Sequence, residues 1–269
     1  MNNISGISFL ICFVIFFISC LNQPAIPNYE LVWSEEFEGT SLDTTIWKFW
    51  EGPAYNDELQ FYTSRPENAY LENGHLFLQA NRESYEGKEY TSARISTDST
   101  RIGWEKGRFE ARIKMPAGQG LWPAFWLMPI RDKGWPRSGE IDIMEYRGNE
   151  PSVTTGAVHF WQAGCDESPW ECRRYLTDSY TLPEGSLGND FHLYSLEWTD
   201  NELIWFLDET EFHRVAFEEI EAEFEPFTGP FYIILNLAVG GNFLPDPDES
   251  TEFPQALVVD YVRVYQSIE

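Results

Sequence analysis

With 44 acidic residues against 18 basic ones in 269, the chain carries a formal net charge of −26. That balance excludes a nucleic-acid binder, whose partner phosphates it would repel, and a strongly sulfated polysaccharide, which needs bases along its cleft. The length suits one large β domain, and most of the acidity serves solubility.

Taken in chain order, the first signal is apolar. Residues Ile7 to Ile18 are almost wholly apolar and lead into Ser19-Cys20. The run is too short for a membrane span and reads as a signal-peptide core. Phe17-Ile18-Ser19-Cys20 is similar to a bacterial lipoprotein cleavage box, which makes Cys20 the lipidated first residue of a membrane-anchored protein, in the periplasm or at the cell surface. Met1-Asn2-Asn3 lacks the usual basic residue, so plain secretion is the alternative. The expected organisation is a leader over 1–20, a Pro-containing linker over 21–30 and one domain over 31–269.

Short apolar runs follow: Leu76 to Leu78, Ala93 to Thr97, Gly107 to Lys114, Phe125 to Met128, Thr155 to Phe160, Leu193 to Trp198, Leu203 to Leu207, Phe231 to Leu237 and Leu257 to Tyr265. Each is bounded by Gly, Pro, Asn or Asp, and each reads as a strand. Asn73-Gly74 is a hairpin signal. Thr199-Asp200-Asn201 and Leu207-Asp208-Glu209-Thr210 are further turns. Only Glu218 to Phe224 offers a helical turn or two. Many short strands without a repeat predict an all-β sandwich. Trp33, Trp47, Trp198, Trp205, Tyr261 and Tyr265 are expected between its sheets.

The stretch Gly139-Glu140-Ile141-Asp142-Ile143-Met144-Glu145 carries the chemistry. In a regular strand Glu140 and Asp142 share a face with Met144, and Glu145 points away. A β-bulge near Ile143-Met144 would return Glu145 to the face of the other two. Like charges on one face are destabilising, so a trio of them suggests strain kept for acid–base work on a sugar. Strand geometry then leaves roughly 5–7 Å between the Glu140 and Glu145 carboxylates. Retaining glycosidases need about 5–5.5 Å and inverting ones about 6.5–9.5 Å; a curved strand favours retention.

GEIDIMEYRG resembles the active-site strand of glycoside hydrolase family 16, in the laminarinase (endo-1,3-β-glucanase) form with the extra Met. LVWSEEFEG, NDELQFYT, ENGHLFLQA, TSARIST, WEKGRFEARIKMP, GLWPAFWLMP, AVHFW, LNLAVGGN and VDYVRVYQ resemble further segments, so the similarity spans about Leu31 to Gln266. The resemblance implies an all-β fold, a β-jelly-roll sandwich of two antiparallel sheets with a concave substrate cleft. It implies Glu140 as nucleophile, Glu145 as general acid/base and Asp142 as the helper that hydrogen-bonds the nucleophile. Trp122 and Trp126, four apart on one strand face, become sugar-stacking candidates, and Pro123 suits a strand edge or bulge beside them. His159 is either a sugar contact or a core histidine satisfied by a carbonyl. Asn56 and Glu58 resemble the glycone-side lip. Arg94 and Asn236 are weaker hydroxyl contacts, and an Arg paired with a structural acid competes with that reading.

The same resemblance implies a structural calcium on the convex face, held by the Glu36 and Gly74 carbonyls and the Asp260 carboxylate; catalysis needs no cofactor. Cys165 and Cys172 form a disulfide in an oxidising compartment or stay as two free thiols; the lack of His or Cys companions nearby in sequence argues against zinc. The expected partner is a β-glucan, with no nucleic acid, a membrane only through a lipid anchor at Cys20, and a monomeric chain. Mixed-linked 1,3-1,4-β-glucan, an agar-type galactan and a non-catalytic glucan-binding jelly roll are the alternatives.

Overall fold

The computed structural model of the chain describes residues 28–97, 102–130, 133–222 and 225–268. The leader, Cys20 and most of the expected linker lie outside the described residues. The domain starts slightly earlier than expected, because Tyr29 and Glu30 already pair with the last strand.

Eighteen strands are described. They are β1 (Tyr29–Glu35), β2 (Lys48–Phe49), β3 (Gly52–Pro53), β4 (Gln60–Tyr62), β5 (Ala69–Glu72) and β6 (His75–Tyr85). Then come β7 (Lys88–Ser92), β8 (Arg94–Ser96), β9 (Gly107–Lys114), β10 (Leu121–Pro129), β11 (Glu140–Tyr146) and β12 (Val153–Trp161). After a helical turn, α1 (Pro169–Cys172), follow β13 (Arg173–Thr181), β14 (His192–Trp198), β15 (Glu202–Leu207), β16 (Thr210–Ala216), β17 (Phe231–Val239) and β18 (Gln255–Ser267).

They form two sheets. One has eleven strands in the order β16-β15-β14-β9-β18-β6-β7-β4-β3, with β1 on β18 and β5 on β6. The other has seven, in the order β13-β12-β11-β10-β17-β8-β2. Only β4 with β7 pairs in parallel among the described strands.

The core lies between the sheets, and period-two alternation sets what enters it. Phe109, Ala111 and Ile113 of β9 face it, as do Ile233, Leu235 and Leu237 of β17. Trp47, Trp198 and Trp205 are buried as expected. Tyr261 and Tyr265 do not lie between the sheets, although Tyr265 is buried. Val262 and Val264 take the inward positions of β18, so the tyrosines fall on its other face. There Tyr265 donates to Glu110 at 3.0 Å, and the Arg263 guanidinium sits 3.5 Å from the Tyr261 ring centre. Trp33 is half-buried and packs against Trp47 and Trp104.

Two predicted turns take left-handed backbone. Asn73 and Gly74 have φ of 52° and 77°, and Asp208 and Glu209 have φ of 46° and 65°, as a tight hairpin twist demands. The acidic helix expected from Glu218 is only a 3-10 turn, Phe217–Glu219. Ile220 and Ala222 pack against the core, and Ala222 bridges to Gln162, which pulls the chain out of helical path.

The outer face of the eleven-stranded sheet gathers charge. Arg108, 2% exposed, donates to Glu209 at 2.6 Å, Ser195 at 2.9 Å, Glu197 at 3.1 Å and Glu110 at 3.2 Å. Asp260, the one carboxylate expected to hold calcium, receives Arg112 Nη1 at 2.6 Å and lies 3.6 Å from His75 Nε2. The Glu36 side chain pairs with Arg263. With its carboxylate so engaged, the Glu36, Gly74 and Asp260 set is a poor fit to a hard divalent cation, which takes six to eight oxygens.

Candidate active site

The site grows from an irregularity in β11. Against β12, Asp142 pairs with Ala157 and Glu145 with Thr155, so Ile143 and Met144 together oppose Gly156. Against β10, the matching shift falls between Phe125 and Trp126. This bulge sends both Ile143 and Met144 into the core and returns Glu145 to the outward face of Glu140 and Asp142.

The opposite sheet braces the bulge. Trp205 of β15, fully buried, donates from Nε1 to the Asp142 carbonyl at 2.9 Å. That bond satisfies a carbonyl beside the broken ladder. Gly156 makes the approach possible: a Cβ there would lie 2.5 Å from the indole Cδ1.

The three acids sit in a poorly solvated place. Burial, then the Asp142 charge, pushes Glu140 up to about 7. Burial pushes Asp142 up to about 8. Burial, then the Asp142 charge, lifts Glu145 to about 8. Placed this close, they titrate as a set. Each glutamate has an indole donor: Trp135 Nε1 donates to Glu140 Oε2 at 2.7 Å, and Trp122 Nε1 to Glu145 Oε1 at 3.1 Å. These bonds favour the ionised form and oppose the rise.

Asp142 differs from expectation. Its Oδ2 faces His159 Nε2 at 3.1 Å, and Glu140 receives its hydrogen bond from Trp135 instead. His159 Nε2 is also 3.9 Å from Glu140 Oε1. His159 thus turns its Nε2 to the two acids on the reacting face, where a sugar contact was expected, and not to a core carbonyl. Among the described residues, the donor atoms of Glu140, Asp142 and His159 also lie close enough to hold a metal ion, within 4.8 Å. The same carboxylates line the reacting face.

Six of the seven expected sugar contacts lie on one side of β11. Trp126 Nε1 donates to Asn236 Oδ1 at 2.7 Å, and Asn236 Nδ2 to the Tyr62 hydroxyl at 3.2 Å. Tyr62 donates to Glu58 at 3.2 Å, Gln60 to Glu58 at 2.6 Å and Asn56 to Glu58 at 3.4 Å. Burial raises the Glu58 carboxyl, against the pull of these donors. Arg94 forms no ion pair among the described residues, though its charge favours the ionised Glu58; its guanidinium lies 4.7 Å from the Trp126 ring and 5.2 Å from that of Trp50. Trp122 and Trp126 share a face of β10, as their spacing requires. Pro123 sits inside the β10–β17 ladder, but pairing with β11 begins only at Ala124, so its missing N–H costs no bond there.

Trp135, Tyr62, Gln60 and Trp50 escaped the sequence reading. Trp135 stands in a Gly/Pro loop outside any strand pattern, and an indole there has no core to fill, which is the signal that could have flagged it. Cys165 and Cys172 are bonded to each other, as one of the two readings required.

The profile of Glycosyl hydrolases family 16 matches residues 56–263. A Beta-glucanase of Rhodothermus marinus is 41% identical over 262 residues, covering 90% of this chain and 87% of that protein. The laminarinase structure from Rhodothermus marinus superposes with a TM-score of 0.79 at 41% identity, covering 91% of this chain and 100% of that one. The endo-beta-1,3-glucanase structure from Pyrococcus furiosus superposes with a TM-score of 0.79 at 39% identity, covering 90% and 95%. The bulged acidic strand, the two-sheet jelly roll and these similarities agree: the chain belongs to glycosyl hydrolase family 16.

Proposed function

We propose that the chain is an endo-acting retaining β-glucanase that hydrolyses 1,3-β-D-glucosidic bonds in laminarin-type glucans. The observation that carries this reading is the single bulge that gathers Glu140, Asp142 and Glu145 on one face, with separate indole donors on the two glutamates.

The roles follow from the contacts. Trp135 holds a hydrogen bond that favours the anionic Glu140 needed for attack on the anomeric carbon. Trp122 occupies Oε1 of Glu145, which leaves Oε2 to carry the proton. As the Glu140 carboxylate bonds to the anomeric carbon, the glycosidic C–O bond breaks and the Glu145 proton passes to the departing oxygen. Water then attacks the same carbon, gives its proton to Glu145 and releases Glu140. Asp142 and His159 form a polar base beneath the pair, with Asp142 Oδ2 3.1 Å from His159 Nε2.

Glu140→Gln tests the reading. Hydrolysis of laminarin should fall by roughly 10⁴-fold while glucan binding stays measurable. An active variant, or an inverted anomer as first product by NMR, would overturn it. Product profiles on laminarin, lichenan and agarose separate the 1,3-β-glucanase from its mixed-linkage and galactan alternatives. Turnover itself separates it from a binding module.

Two further tests concern the whole protein. Export with lipidation at Cys20 predicts an acylated mature N-terminus by mass spectrometry; a free N-terminus would favour plain secretion. A calcium at Glu36, Gly74 and Asp260 would have to compete with Arg112 for Asp260, so melting in calcium against chelator should differ little.

A further inference from the structure

The catalytic strand divides its sheet unequally. β10, β17, β8 and β2 lie on one side, with the Trp126–Asn236–Tyr62–Glu58 row. β12 and β13 lie on the other. The register runs Glu140 to His159 to Tyr175, so the outward row that holds the nucleophile continues to the last strand. On β13, Leu176 and Tyr180 pack toward the core, which turns Tyr175 outward; it is 53% exposed and its ring is 5.8 Å from that of His159.

Beyond Tyr175 stands a second exposed aromatic. Trp170, 59% exposed, rides on the helical turn α1. Its ring is 4.8 Å from that of Trp135, the donor to Glu140. The Arg173 guanidinium lies between the two exposed rings, 5.5 Å from Trp170 and 5.1 Å from Tyr175. The turn is held from three directions. Cys165 and Cys172 are disulfide-bonded, Gln162 N donates to the Cys172 carbonyl at 2.8 Å, and Ser168 and Glu171 form a capping box. A tryptophan kept in water on a tied turn, beside an exposed tyrosine in the row of the nucleophile, is an anomaly that folding alone does not explain.

We propose that Trp170, with Tyr175, is a sugar platform for the half of the glucan that lies across β11 from Asn56 and Glu58. The family resemblance puts that lip on the glycone side, so the platform serves the leaving-group half. The inference rests on the glucanase reading above. Its ligand is a neutral β-linked pyranose, whose flat C–H face suits an indole. The disulfide and cap fix the ring in advance, so little ordering cost attends binding. The sequence alone gives no hint of this, because Trp170 lies in a polar loop with no strand pattern.

The test compares substrates in the full chain. Trp170→Ala should raise KM for long laminari-oligosaccharides roughly tenfold with little change in kcat, the effect of one lost aromatic contact. On an aryl laminaribioside, whose leaving group places no sugar on the platform, the change should stay below about twofold. Trp170→Phe should recover most of the loss. In a Glu140→Gln background, Trp170→Ala should weaken oligosaccharide binding by a similar factor in calorimetry. Equal losses on both substrates would make Trp170 a mere support of Trp135, and no loss on either would leave it outside the site; each result overturns the platform. A wild-type chain that leaves laminarin intact would instead strike the glucanase reading.

Discussion

Each sheet brings three carboxylates together on its outer face, and only one sheet neutralises them. On the eleven-stranded sheet, Glu110, Glu197 and Glu209 surround Arg108, which answers all three with hydrogen bonds. On the seven-stranded sheet, Glu140, Asp142 and Glu145 face one another beside His159 and two indole donors, and the charges of Arg147 and Arg173 reach them without an ion pair among the described residues. Three carboxylates stand in each cluster, and their chemistry is opposite. A guanidinium at the centre answers its acids with hydrogen bonds and opposite charge. Its absence leaves protons shared and available.

Breaking the balanced cluster should have the largest effect on stability. Arg108→Ala strands the buried Glu110, while Glu197 and the largely exposed Glu209 turn to solvent, and denaturant unfolding should show a loss of about 3 kcal/mol. Activity per folded molecule should be unchanged, since the cluster faces away from the cleft.

The reactive cluster should act on stability in the opposite sense. Its groups titrate near 7 and 8 in the fold, above the ordinary carboxylate range of the unfolded chain. The folded state therefore holds extra protons between about pH 4 and 8. Stability from these groups is full below that window and is lost as pH rises through it. The combined variant Glu140→Gln, Asp142→Asn and Glu145→Gln should flatten this decline, by roughly a few kcal/mol at pH 8, read as melting temperature against pH.

The link between the sheets is Trp205. Gly156→Ala would drive a methyl group into its indole, which has no room to move in a full core. We expect a loss of about 1–3 kcal/mol, with kcat falling more than KM changes, because the bulge that aims Glu145 is displaced. An unchanged kcat would separate the bulge from this brace.

The smallest effect should come from Trp135→Phe. It keeps the ring against Trp170 and removes the donor to Glu140. We expect roughly a tenfold lower kcat/KM and an acid limb of the pH profile shifted upward, since the nucleophile loses a bond to its ionised form.

The amino-acid sequence by itself determined the layers and the reacting strand. Alternation at short spacing is a local property, and so are the left-handed turns at Asn73-Gly74 and Asp208-Glu209. The period-two clash within Glu140 to Glu145 announced a bulge before any partner strand was known. Other features had no local signature. β13 carries charges and hydroxyls with only Leu176 and Tyr180 turned inward, so its pattern is too sparse to read. Trp135 and Trp170 are far from strand rhythm and acquire meaning only beside Glu140. Tyr261 and Tyr265 looked like core residues until the register of β18 gave the inward positions to valines. Tertiary structure alone decided which acids meet an arginine and which are left to share protons, because that depends on strands joined across long stretches of chain, as Arg108 is to Glu197 and Glu209, and not on neighbours in sequence.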